Sequence, residues 1–123
     1  MKRFFPVLLA LVVITQIQSA SAGCRTTPIR FNFDANSETT SEGVVTEDGF
    51  CRLSFWTNAG SFTESDILKK PHNGTLKQIN VSTFEYQAKS NFKGKDDLTL
   101  KLCGVKRIGG GGCVTAAFAM TIE

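Results

Sequence analysis

Two segments near the C-terminus, Asp97-Leu98-Thr99-Leu100-Lys101-Leu102-Cys103 and Cys113 to Ile122, alternate apolar with polar or small residues at a period of two. Successive side chains of a strand point to opposite faces, so this pattern belongs to strands covering one side of a core. Leu98, Leu100 and Leu102 are expected to face inward together with Val114, Ala116, Phe118, Met120 and Ile122. That parity turns Cys103 and Cys113 outward, on the same face of neighbouring strands in one hairpin. Shorter alternations recur upstream at Ile29–Phe33, Cys51–Phe55, Thr75–Ile79 and Thr83–Tyr86, with Ser61–Thr63 and Ile67–Leu68 between them. Turn residues separate these runs, as at Asp48-Gly49 and Pro71-His72-Asn73-Gly74. No helical spacing of apolar residues is sustained anywhere after residue 22. About seven short strands with turns between them predict an all-β chain folded as an antiparallel two-sheet sandwich. Residues 34–48 are acidic and poorly patterned, and are expected to form a loop with one edge strand.

The N-terminus reads as an address. Met1-Lys2-Arg3 is basic, Phe4 to Ile14 is an apolar run of eleven residues, and Ala20-Ser21-Ala22 places small residues at −3 and −1 of a cut after Ala22. This is the order of a secretory signal peptide over residues 1–22, leaving residues 23–123 as one domain. Eleven residues are too few to cross a hydrocarbon core of about 30 Å as a helix, so no membrane span is expected after signal removal. Lys2 and Arg3 leave with the leader, taking two of the 14 basic residues and lowering the formal charge from +3 to +1. Such a balance carries no electrostatic footprint for nucleic acid. The charge is unevenly spread: Gly23–Asp66 holds three basic and seven acidic residues, and Ile67–Glu123 nine basic and four acidic.

Four cysteines behind an export signal indicate disulfides in an oxidising compartment, secreted or periplasmic. No close Cys-x-x-Cys pair is present for zinc. Parity favours Cys103–Cys113 as a bridge within the hairpin, leaving Cys24–Cys51. The alternative is a bridge between the two sheets, Cys51 with Cys103, although Cys51 shares its parity with inward Leu53 and Phe55 while Cys103 does not.

Candidate chemistry is sparse. His72 is the sole histidine and sits in a turn, where a solvated side chain is the default. Paired cysteines leave no thiolate, and there is no Gly-x-Ser-x-Gly elbow. Asp96 and Asp97 are adjacent on a strand and point to opposite faces, which makes them poor partners for acid–base catalysis, and any metal ligands would be oxygen only, fit for weak calcium at best. The glycine run Gly109–Gly112 lacks the strand–loop–helix setting of a phosphate loop and reads as a flexible hairpin loop. No catalytic, cofactor-binding or metal site is expected. Lys106 and Arg107 lie at that hairpin's tip, and Trp56 and Phe50 fall on the outward parity of their strand. Trp56, Lys106 and Arg107 are therefore the candidate interaction surface.

The stretch Pro71-His72-Asn73-Gly74-Thr75, then Phe84-Glu85-Tyr86 and Asn91-Phe92-Lys93-Gly94-Lys95-Asp96, resembles the P-x-x-G-T, F-x-Y and N-F-x-G-x-D signature of bacterial immunoglobulin-like, cadherin-like surface-adhesin repeats. The resemblance implies an immunoglobulin-like sandwich. Its departures are Ala88 where a proline is usual and Cys103-Gly104 where an acid often closes the alternating strand. That acid belongs to the calcium-binding junctions of tandem repeats, so no calcium site carries over. The expected role is a non-catalytic binding or adhesion-type module with a protein or glycan partner at the cell envelope. The alternative is a structural or assembly component of the envelope, acting by sheet-edge pairing or self-association.

Overall fold

A computed structural model describes residues 23–123. The signal-peptide expectation and its cut after Ala22 lie outside the described residues. The described residues are all-β, in eight strands: β1 (Cys24–Thr26), β2 (Ser37–Val45), β3 (Phe50–Ser54), β4 (Gly60–Lys69), β5 (Gly74–Asn80), β6 (Thr83–Ala88), β7 (Gly94–Lys106) and β8 (Gly111–Ile122). They form two sheets, one of order β1-β2-β8-β7-β4 and one of order β3-β6-β5. Matching β3 to strand B onward gives C–F–G neighbours in one sheet and B–E–D in the other, the connectivity of an immunoglobulin-like sandwich. All pairs are antiparallel except β2 with β8, which run parallel from Ser37↔Val114 to Val45↔Ile122.

The core lies where the period-two reading put it. Leu98, Leu100, Leu102, Ala116 and Met120 are fully buried, and Val114, Phe118 and Ile122 nearly so. They face Phe84, Tyr86, Cys51 and Leu53 from the other sheet. Each large side chain so buried contributes about 1.5–3 kcal/mol of transfer free energy.

Two stretches differ from their sequence expectation. Residues 37–45, read mainly as loop, form the nine-residue strand β2 between β1 and β8. Its inward positions are Ser41, Gly43 and Val45, small enough for close approach but nearly silent as a hydrophobic pattern. A Cβ on Gly43 would come within 2.6 Å of the Met120 sulfur, and the buried Ser41 hydroxyl is satisfied by donating to the Thr27 carbonyl at 2.7 Å. Conversely, Ile29–Phe33 alternates with Phe31 and Phe33 buried, yet it joins no ladder. Packing drives the alternation there without backbone pairing.

Both disulfides match the parity argument: Cys24–Cys51 and Cys103–Cys113. Cys103 and Cys113 are direct cross-strand partners on the face of the β7–β8 pair opposite Leu102 and Val114; contrary to the outward expectation Cys103 is buried there, only 6% exposed, and Cys113 is half-buried. Inside, Gly104 lies under the Phe33 ring, where a Cβ would approach Phe33 Cζ to 2.5 Å.

His72, Asn73, Tyr86 and Asp96 meet at one corner. The Asp96 carboxylate accepts from the Tyr86 hydroxyl (2.7 Å), the His72 amide (2.9 Å), the Asp97 amide (3.0 Å) and the Asn73 amide (3.1 Å). Burial, then the hydrogen bond to Asp96 and its negative charge, push the Tyr86 phenol above its ordinary range. The carboxylate thus anchors the β4–β5 turn to the start of β7.

Candidate functional site

The sandwich end opposite that corner carries the loops with the most exposed apolar side chains. Gly60 at the start of β4 pairs with Lys106 at the end of β7, so the β3–β4 loop (residues 55–59) and the β7–β8 hairpin (residues 107–110) share this end. The Phe55 amide donates to the Ser82 carbonyl at 2.8 Å, bringing the β5–β6 turn alongside. Trp56, the single tryptophan, is 77% exposed, and Ile108 is 90% exposed. Arg107 is exposed on the same hairpin. Structure therefore brings the three sequence candidates, Trp56, Lys106 and Arg107, to one end.

They are not equivalent. Lys106 Nζ lies 2.6 Å from Asp34 Oδ1, which neutralises its charge and ties the hairpin to the segment before β2. The hydrogen bond and the charge of Lys106 hold the Asp34 carboxyl below the usual carboxylate range. Arg107 has no such partner; the ion pairs among the described residues are Lys69–Asp97 and Lys106–Asp34.

The glycine run is more constrained than a flexible loop. Gly109 and Gly110 take positive φ of 64° and 66°, while Gly111 and Gly112 lie in β8 with neighbouring carbonyls in the way of any Cβ: Gly104 O at 2.5 Å and Ala35 O at 2.8 Å. The Cys113 amide also donates to Asn36 Oδ1 at 3.0 Å. The hairpin and residues 34–36 are built as one unit.

Beside Trp56 lies an open cleft of about 800 Å³ between residues 26–32 and residues 52–59. Along it Ile29–Phe33 joins no ladder, and among the described residues β3 pairs only with β6. Its floor is aromatic: Phe31 and Phe55 meet edge to face with centroids 5.5 Å apart, and Phe55 continues to Phe84 and Phe118 at 6.3 and 5.9 Å. Its rim carries Arg30, Arg52 and Trp56, with hydroxyl and amide groups from Thr57 and Asn58. No carboxylate lines it. Arg30 and Arg52 are not among the residues that the sequence marks as candidates. Their outward parity was readable, but their convergence depends on two distant segments meeting, a meeting secured nearby by Cys24–Cys51.

Elsewhere the candidates are occupied. His72 exposes its side chain and uses its backbone amide to hold Asp96. Glu64 lies within 4.8 Å of both sulfurs of the outer-face disulfide, but those sulfurs are bonded to each other and offer no thiolate ligand. A second hollow of about 500 Å³, near Lys95, Asp96 and Asp97, is lined by groups engaged with Thr121, the corner and Lys69. No helix among the described residues is long and apolar enough to cross a membrane. Two disulfides fit an oxidising compartment.

No protein-family model matches the chain, and no curated protein matches it. Among solved structures, a 2,6-sialyltransferase from Vibrionaceae Photobacterium sp. JT-ISH-224, in a ternary complex with CMP and lactose, is similar at 11% identity with a TM-score of 0.41. That match covers 73% of this chain and only 18% of the other, and a likeness at that level carries no argument about activity.

Proposed function

We propose that this is an exported, non-catalytic binding module of the bacterial immunoglobulin-like, cadherin-like kind, engaging a protein or glycan at the cell envelope through its β3–β4 and β7–β8 loop end. The observation that carries the reading is the single tryptophan held 77% exposed at the rim of an open cleft. Water contact over so large an aromatic surface is unfavourable, and exposed aromatics of this kind are enriched where partners bind. The supports are rigid, a braced glycine hairpin on one side and an aromatic floor on the other, so a ligand would meet a surface already in place. The absence of a free thiol among the described residues and the turn location of His72 also favour binding over catalysis.

The test is cross-linking of the purified, disulfide-bonded protein against an envelope extract of its own cells. One abundant adduct, lost in the Trp56→Ala, Lys106→Ala, Arg107→Ala triple variant, is the expected result. Adducts unaffected by the triple variant would refute the assignment to this end.

Assembly by edge pairing draws support from β4, a ten-residue strand at the edge of the larger sheet with Leu68 54% exposed. Against it, β4 is broken by irregularities at Phe62/Glu64 and Ile67/Lys69 and presents Glu64, Asp66 and Lys69, features that discourage pairing.

A further inference from the structure

We infer that the cleft beside Trp56 is a binding site for an acidic saccharide, a pyranose chain bearing carboxylates, with Arg30 and Arg52 as the carboxylate-reading groups. This deepens the proposed function, on which it rests, by naming the ligand class.

The lining is chemically selective. The cleft takes two guanidiniums and no carboxylate from a chain that has 11 acidic residues. Both arginines are exposed, and neither belongs to an ion pair among the described residues. Two guanidiniums, one from each segment lining the cleft, attract an anion even with Glu85 across the strand from Arg52, and the guanidinium fork matches a carboxylate in two parallel hydrogen bonds. Charge alone would also fit an acidic peptide or phosphate. The remaining lining favours a sugar. Trp56 offers a flat face for the C–H side of a pyranose ring, and Thr57, Asn58, Ser54 and Asn32 supply neutral donors and acceptors for hydroxyl groups. The volume, about 800 Å³, lies in the range of small-ligand clefts.

The walls give the site its rigidity. Arg52 projects from β3 opposite Glu85 in register, with Cys51 beside it tied to Cys24. Arg30 precedes the buried Phe31, whose ring is clamped by Phe55 and Phe62 at 5.5 and 5.1 Å. Each arginine is thus one residue from a packed or disulfide-bonded anchor.

Trp56 is the only tryptophan, so its emission reports directly on the site. The purified, disulfide-bonded protein is titrated with a galacturonate trisaccharide, with a neutral galactose trisaccharide, and with a short polyglutamate peptide of equal charge. The expected result is a saturable emission change with the galacturonate oligomer. It should weaken about tenfold or more in Arg52→Ala and in Arg30→Ala, weaken less in Arg52→Lys, and stay unchanged in Lys101→Ala on the far sheet. Equal binding of polyglutamate would overturn the saccharide assignment. Equal binding of the neutral trisaccharide would overturn the role of the arginines, and no saturable response to any probe would overturn the site. In each of those cases the cross-linking experiment still reads the broader proposal separately: an adduct sensitive to Arg107→Ala but indifferent to Arg30→Ala and Arg52→Ala keeps the binding module and removes this ligand class.

Discussion

Replacing Asp96 by Asn removes the charge while keeping the shape, and it isolates what the corner contributes to the fold. The native carboxylate accepts four hydrogen bonds at 2.7–3.1 Å while only 7% exposed. An amide has one accepting oxygen. Whichever way it turns, its NH2 faces two of those four donors. If the oxygen stays with Tyr86 and Asn73, the His72 and Asp97 amides lose their acceptor and meet another donor. Each polar group so stranded costs about 1–3 kcal/mol, reduced where water reaches the turn, so Asp96→Asn is expected to destabilise by about 2–4 kcal/mol. Tyr86→Phe removes a single charge-assisted bond and is expected to cost about 1.5–3 kcal/mol. Against a total stability of about 5–15 kcal/mol for a domain of this size, either change is large. Urea unfolding at neutral pH with the disulfides intact, followed by far-ultraviolet circular dichroism, measures both. Tm should fall by about 4–8 °C per kcal/mol. The double variant should cost less than the sum of the singles, because the two share one bond. An Asp96→Asn variant within about 0.5 kcal/mol of the parent would refute the reasoning, since surface substitutions without structural consequence fall in that range.

Other consequences of the structure are open to direct measurement. Tyr86 is the sole tyrosine, and its raised phenol pKa means the folded state favours the neutral form. The resulting stabilisation is complete below the unfolded value of about 10 and is lost as pH climbs toward the folded one, so tyrosinate absorbance should appear only with alkaline unfolding, and at lower pH in Asp96→Asn. Asp34 has the opposite sign. Its lowered pKa favours the carboxylate, so the tie to Lys106 is present above about pH 4 and lost as pH falls through the depressed value, visible as a chemical-shift change in the β7–β8 hairpin. Loop entropy makes Cys24–Cys51, spanning 27 residues, worth about 3.5 kcal/mol, and Cys103–Cys113, spanning 10, about 2.7 kcal/mol. Replacing each pair by Ala and comparing urea midpoints should reproduce that order. Gly104→Ala drives a methyl into the Phe33 ring and the Ser61 carbonyl and should cost about 1–3 kcal/mol in thermal unfolding, with Phe33→Leu recovering part of the loss.

How far the sequence was legible follows from where its side chains differ in size. β7 and β8 announce themselves because large apolar residues alternate with polar ones, and parity then carries straight to the Cys103–Cys113 bridge. β2 does not announce itself. Its inward residues are Ser41, Gly43 and Val45, small residues of which Gly43 leaves room for the Met120 sulfur, so the strand offers little apolar pattern and reads as an acidic loop. Its parallel pairing with β8 is equally hidden, because no short turn marks a parallel neighbour. Ile29–Phe33 fails in the other direction, having the pattern of a strand without the ladder. The cleft lies along that unpaired segment, between residues 26–32 and residues 52–59. A segment with strand periodicity that is held by its phenylalanines and not by its amides leaves a sheet edge and two arginines facing open space. The departure from the local pattern and the candidate site are therefore one feature.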